Sequence, residues 1–180
     1  MSQQGLQEPP LNRMQRPLIE KVVLNISVGQ SGEPLQQAMR ILKDLTGQTP
    51  SQRLAKRSIR DWGIHRREPI ACLVTLRNEA AMAFVKRAFD AIGHRLPRSS
   101  FDSNGNFAFG ISKHIDLPGV RYDPDLGIVG MDVSVAMGKP GYRVKRRRLA
   151  KARVGMKQKL TRDEAVEYIR DAFGLEILGD

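Results

Sequence analysis

Apolar and polar residues alternate from Val22 to Val28, with Val22, Leu24, Ile26 and Val28 on one side and Val23, Asn25 and Ser27 on the other. A two-residue period of this kind predicts a strand buried on one face. The period then lengthens: Leu35, Ala38, Met39, Leu42 and Leu45 fall at helical spacing, Pro34 suits a first turn and Gly47 a stop, so a helix is expected from about Pro34 to Thr46. The apolar run Ile70 to Leu76 predicts a well-buried strand, with Ala71, Leu73 and Thr75 sharing its less apolar side. Asn78 is placed to cap a second helix, whose stripe is Ala81, Phe84, Val85, Ala88, Phe89 and Ile92 and whose end is Gly93. Phe107, Phe109 and Ile111 alternate with smaller residues, as does the stretch Met131 to Met137, giving two more strands. Thr161 with Glu164 three residues on forms a capping box, opening a third helix through Val166, Ile169 and Phe173 to Gly174.

The order β-α-β-α-β-β-α has more strands than a parallel alternation needs, and they cluster after the second helix. It predicts an α+β fold, a mainly antiparallel sheet with helices packed on one face and the opposite face open. Asn25 and Thr75 would then stand on the open face, one per strand, as small hydrogen-bonding groups on a rigid platform. Residues 1–15, rich in Gln and Pro, read as a mobile N-terminal tail, 16–138 as a single α+β domain, and 139–180 as a basic extension ending in the short helix.

Charge changes this picture most. Of the chain's 30 basic residues, ten lie in the acid-free stretch Lys139, Arg143, Lys145, Arg146, Arg147, Arg148, Lys151, Arg153, Lys157 and Lys159, which holds 10 of the 11 units of net charge. Like charges so crowded repel one another and have no reason to stay compact alone, whereas phosphates opposite them release counterions on contact. A second cluster, Arg53, Lys56, Arg57, Arg60, Arg66 and Arg67, is opposed only by Asp61 and has Trp62 and Gly63 in its middle. An arginine-rich, glycine-interrupted loop between ordered segments is suited to reach phosphates. Removing both segments leaves a mildly acidic scaffold of charge −4. A pI near 10.3 makes nucleic acid the expected partner. Membrane attachment is disfavoured, because Tyr142, Val144 and Leu149 are too few apolar residues to anchor the basic stretch.

Catalytic chemistry finds little support. His65, His94, His114 and Cys72 lack the short pair spacings of zinc sites, so no metal is expected. Asp116, Asp123, Asp125 and Asp132 would have to converge to hold magnesium for a nuclease, and Asp123-Pro124-Asp125 reads better as a turn. No phosphate-cradling glycine motif is present, so neither a cofactor nor a small-molecule substrate is expected. Phe107 and Phe109 have the look of an RNA-stacking strand, but Ile111 continues their face and favours a core role. The lone Cys72 excludes an internal disulfide and fits a reducing compartment; the polar N-terminus has no secretory pattern, so a soluble cytoplasmic protein is expected.

Five blocks in order carry a family resemblance: Leu24-Asn25-Ile26-Ser27-Val28-Gly29, Leu45-Thr46-Gly47-Gln48-Thr49-Pro50, Ala55-Lys56-Arg57-Ser58, Val74-Thr75-Leu76-Arg77, and Ser100-Phe101-Asp102-Ser103-Asn104-Gly105-Asn106-Phe107. From about Arg16 to Leu178 the chain resembles the L-five family of large-subunit ribosomal proteins. Met137-Gly138-Lys139-Pro140-Gly141-Tyr142 and the Thr161-capped tail resemble its archaeal and eukaryotic branch. The resemblance implies a non-catalytic protein that binds 5S rRNA, docks it in the central protuberance of the large subunit and touches large-subunit rRNA and neighbouring ribosomal proteins. It further implies that Asn25, Gln48, Thr75 and Arg77 meet 5S rRNA. The Arg53 to Arg67 loop would meet tRNA in the peptidyl site, and the basic run from Lys139 to Lys159 would clamp other rRNA. The segment Phe101 to Phe107 resembles the region near the small-subunit bridge. One departure is Gln30, where the family often has Glu. A free-standing 5S RNA chaperone or regulator would need the same surface; sedimentation with large subunits at high salt separates the two.

Overall fold

A computed structural model of the chain describes residues 12–179. Strand β1 (Leu18–Ser27) leads into helix α1 (Glu33–Thr46), then β2 (Ser51–Leu54), β3 (Pro69–Leu76), α2 (Asn78–Ala91), β4 (Arg95–Pro97), β5 (Phe107–Ile111), β6 (Met131–Gly138), α3 (Arg162–Phe173) and β7 (Glu176–Leu178). Five strands form one antiparallel sheet in the order β2-β3-β1-β6-β5, and β4 and β7 make a separate parallel pair. This is the α+β architecture that the periodicity predicts.

The alternation decides which face is covered. Val22, Leu24 and Ile26 of β1, Cys72, Val74 and Leu76 of β3, and Met131, Val133, Val135 and Met137 of β6 are all buried, and they share a core with Leu35, Ala38, Ile41 and Leu42 of α1 and Ala81, Val85, Ala88 and Phe89 of α2. Phe89 stacks at 5.6 Å on Phe109 and at 6.1 Å on Phe107 and takes Phe173 of α3 edge-on at 5.2 Å, so α2, α3 and β5 meet at one aromatic cluster. Phe107 is buried and Phe109 half-buried, which gives both rings the core role that Ile111 suggested. Cys72 lies fully buried, and desolvation pushes its thiol up to about 11, leaving it un-ionised at neutral pH.

Several boundaries differ from the periodic reading, each for a physical reason. β1 begins four residues before Val22, because a bulge between Ile19 and Lys21 breaks the two-residue alternation while Leu18 and Ile19 still pair with Gly138 and Met137. β2 is an edge strand whose four residues are all exposed, held by backbone pairing to β3 and carrying no apolar pattern. Asn78 does not cap α2: it is the first helical residue at φ +53, and no side-chain cap bond closes that end. The Thr161–Glu164 capping box is present, with both reciprocal bonds made. Of the N-terminal tail, residues 1–11 lie outside the described residues. Residues 12–15 form a turn, and Gln158 Nε2 donates to the Met14 carbonyl at 2.7 Å.

Candidate nucleic-acid interface

The face of the sheet away from the helices is built from the alternate positions. Cross-strand register places Ser51, Leu73, Asn25, Asp132 and Gly110 in one row across all five strands. Thr75, Val23, Ser134 and Ala108 form the next row, and Arg53, Ala71 and Ser27 begin another at the β2 edge. Nearly every side chain here is small or hydrogen-bonding, which leaves a low surface that a groove of RNA can approach closely. Asn25 Nδ2 donates to Asp132 Oδ2 at 3.4 Å, so the Asn25 amide is oriented by its cross-strand neighbour.

Thr75 is half-buried in its row, and Arg77, extended at φ −139 and ψ 163 just beyond the strand, continues on the same side and is exposed. Gln48 is exposed in the turn after α1. Gly47 takes the left-handed conformation at φ +68 there, and Thr46 Oγ1 accepts from the Gln48 amide at 3.3 Å. Because Ser51 pairs with Leu73 in antiparallel register, the chain from Gln48 arrives at the Thr75 end of β3. The fold thus brings Gln48, Thr75 and Arg77 to one corner of the face and Asn25 to its centre. Asp132, absent from the sequence-based set of RNA contacts, sits beside Asn25. Only the cross-strand register reveals it.

The basic loop is a tied hairpin. Arg67 N–H donates to the Ala55 carbonyl at 2.9 Å and Ala55 N–H to the Glu68 carbonyl at 2.8 Å, closing the base. Higher up, Ile59 and Ile64 exchange backbone bonds of 2.8 and 3.0 Å, and the Arg66 amide donates to Ser58 Oγ at 2.9 Å. The Glu68 carboxylate accepts from the His65 amide at 2.9 Å and from Ser31 Oγ at 2.6 Å; these bonds, the His65 amide first, hold its pKa below the usual carboxylate range. Arg53, Lys56, Arg57, Arg60, Arg66 and Arg67 are all exposed around this frame.

The run from Lys139 to Lys159 is folded, contrary to what its self-repulsion suggests. Tyr142 is the post it wraps: its hydroxyl accepts from the Leu160 amide at 2.7 Å and donates to the Gln158 carbonyl at 3.2 Å, and Lys145 Nζ lies 4.5 Å over its ring. Gln158 Nε2 also reaches the Pro140 carbonyl at 3.3 Å, and Arg146 is ion-paired with Glu20 at the β1 bulge. Local polar anchors offset the repulsion that charge counting alone foresees. Lys139 differs from the other nine: it is only 6% exposed, and its ammonium meets Glu164 at 2.8 Å, so its charge is neutralised within the fold instead of facing outward. Arg143, Lys145, Arg146, Arg147, Arg148, Lys151, Arg153, Lys157 and Lys159 are exposed. Lys145, Arg153 and Lys159 rim a groove of about 630 Å³ floored by Met137 and Leu160.

Among the described residues no three His, Cys, Asp or Glu side chains converge on a possible metal position. The Asp123 carboxylate accepts from the Asp125 amide at 3.0 Å, the turn its sequence predicted. Buried His114 accepts through Nδ1 from the Val129 amide at 3.3 Å, and His94 meets Asp90 on the surface, both structural arrangements. No helix among the described residues is long and apolar enough to cross a membrane.

Comparison with known proteins gives a consistent result. Residues 12–65 match the family described as ribosomal protein L5, and residues 69–168 match the model of the C-terminus of that same ribosomal family. The chain is 51% identical over 164 residues to the large ribosomal subunit protein uL5 of Pyrobaculum aerophilum, covering 91% of this chain and 92% of that one. It is 50% identical to uL5 of Aeropyrum pernix (90% and 85% covered) and 43% identical to uL5 of Methanosphaera stadtmanae (93% and 99% covered).

Proposed function

The chain belongs to the ribosomal L5 family in its archaeal form, a structural and non-enzymatic constituent of the large ribosomal subunit, and from that premise we propose that its open sheet face holds 5S rRNA and helps seat it in the central protuberance. The observation that carries the reading is the row of small and polar side chains across the uncovered face, centred on Asn25, with Thr75, Gln48 and Arg77 at its edge.

The division of labour follows from the charges. Asp132 keeps phosphates away from the centre of the face and suits it to accept from ribose hydroxyls, while Asn25 and Thr75 supply neutral donors and acceptors that fix register. Arg77 supplies a cation at the Thr75 end of that face. The tied hairpin, with Arg53, Lys56, Arg57, Arg60, Arg66 and Arg67, extends from the opposite end of β3 to reach tRNA in the peptidyl site. The folded collar from Arg143 to Lys159 neutralises phosphates of large-subunit rRNA, and the turn at Phe101 to Phe107 lies toward the small-subunit bridge.

The deciding experiment is binding of 5S rRNA by the double variant Asn25→Ala, Thr75→Ala at fixed salt. A lost hydrogen bond to a desolvated group costs about 1 to 3 kcal/mol, so affinity should fall several-fold or more. Both residues lie on the uncovered face, so the variant should fold with an unchanged circular dichroism spectrum. Wild-type affinity in the folded double variant would remove the sheet face as the 5S rRNA site.

A further inference from the structure

Phosphate binding accounts for the arginines of the hairpin but not for the residue at its tip. Trp62, the chain's single tryptophan, is 72% exposed. Its position is fixed by backbone geometry. Arg60 to Trp62 make one tight turn, Gly63 closes it at φ +66 with its amide donating to the Arg60 carbonyl at 3.0 Å, and the Ile59–Ile64 bridge clamps the turn from below. Ile64, two residues on, is buried, so the hairpin hides one apolar side chain at its stem and displays the larger one at its end. Leu54 and Ile59 are also partly exposed, but they lie at the stem; the tip presents the indole two residues from Arg60, with Arg57 and Arg66 on the two arms below it and only Asp61 opposed.

An indole held outward at the end of an arginine-bearing hairpin matches one surface chemistry well. A nucleobase offers a flat π face with phosphates on either side, whereas a protein pocket built to take tryptophan would ask for apolar company around it. We propose that Trp62 is a nucleobase-stacking residue: the arginines draw the loop to phosphates, and the indole then packs against an unpaired base of the RNA. The inference rests on reading the loop as directed at tRNA, and it adds a preference for RNA that exposes a base over uniform duplex. Stacking carries no base identity, so the contact would tolerate any sequence, as a component meeting every tRNA requires.

The lone tryptophan supplies its own probe. The full chain is titrated with a tRNA transcript, whose folded loops hold unpaired bases, and with a fully paired RNA duplex matched in phosphate number, while intrinsic fluorescence is followed. The tRNA should quench Trp62 and the duplex should not. Trp62→Ala should weaken tRNA binding about 5- to 140-fold without altering its salt slope, and Trp62→Phe should retain most of the affinity. Should Arg60→Gln with Arg66→Gln weaken binding while Trp62→Ala binds tRNA as wild type does, without quenching in the parent, stacking is refuted and the loop's RNA role stands. Should neither set weaken it, the reading of the loop fails and the stacking contact fails with it.

Discussion

Lys139 shows how far a single residue's role can depart from its company. It opens the most basic stretch of the chain, yet its ammonium is enclosed against Glu164, which also completes the cap of α3 through the Thr161 amide at 3.1 Å. Burial raises the Glu164 pKa, but hydrogen bonds from Lys139 and Thr161 outweigh it and hold the group below its ordinary 4.5. A depressed folded pKa gives stability that is present above the unfolded value and is lost as pH falls through the folded one. Lys139→Met should therefore lower stability at neutral pH by about 1.5 to 3 kcal/mol, the range for a hydrogen bond to a charged group. Because Glu164 then titrates nearer 4.5, the gap between variant and parent should close on acidification below that value. Chemical denaturation at several pH values measures this, and a gap independent of pH would rule out the ion pair as its origin. The cap was legible in the sequence, because Thr161 and Glu164 are three residues apart. Burial of Lys139 was not, because its partner is 25 residues away and only the fold joins them.

At the scale of elements, strands with a buried face announced themselves and those without one did not. β1 and β6 alternate visibly and β3 shows as an apolar run; β2 is wholly exposed, and β4 and β7 are three residues each, made by mutual pairing. At the turn before β5, α3 packs closely onto the sheet. Asp102 Oδ1 accepts from the amides of Asn104 and Asn106, each at 2.8 Å, and Gly105 stands between them at φ +76. A Cβ on Gly105 would come within 2.8 Å of Ala165 Cβ and 3.0 Å of Leu160 Cδ2, so α3 is docked directly against this turn. Gly105→Ala combines a left-handed penalty of about 1 kcal/mol with overpacking of about 1 to 3 kcal/mol. Gly119→Ala, at φ +82 with nothing within 4 Å, carries only the first cost. Thermal unfolding should place Gly105→Ala clearly below Gly119→Ala, by roughly 2 to 12 °C for a chain of this size. Equal midpoints would mean that α3 yields at no cost and that the turn does not fix its position.

For the whole molecule, the sheet's two faces could be assigned from periodicity alone, since one residue of slip would have inverted both. The path of the basic run could not, because its order depends on Tyr142, Gln158 and Glu20, none of them a charge-pattern signal. This alters how the run must be tested. Deleting residues after 138 would remove Leu160, Ala165 and Ile169 from the common core, so loss of binding would report loss of folding. Neutralising exposed cations leaves the collar in place. Replacing Arg143, Arg148, Lys151 and Lys157 by Gln keeps the Tyr142 bonds, the Lys145 contact and the Arg146–Glu20 pair. If each of the four meets a phosphate of large-subunit rRNA, the slope of log affinity against log salt should become shallower by about 3 to 4. Affinity for 5S rRNA at constant salt should change little, because none of the four lies on the open face. An unchanged slope on large-subunit rRNA would show that this stretch, despite carrying most of the net charge, is not where that RNA is held.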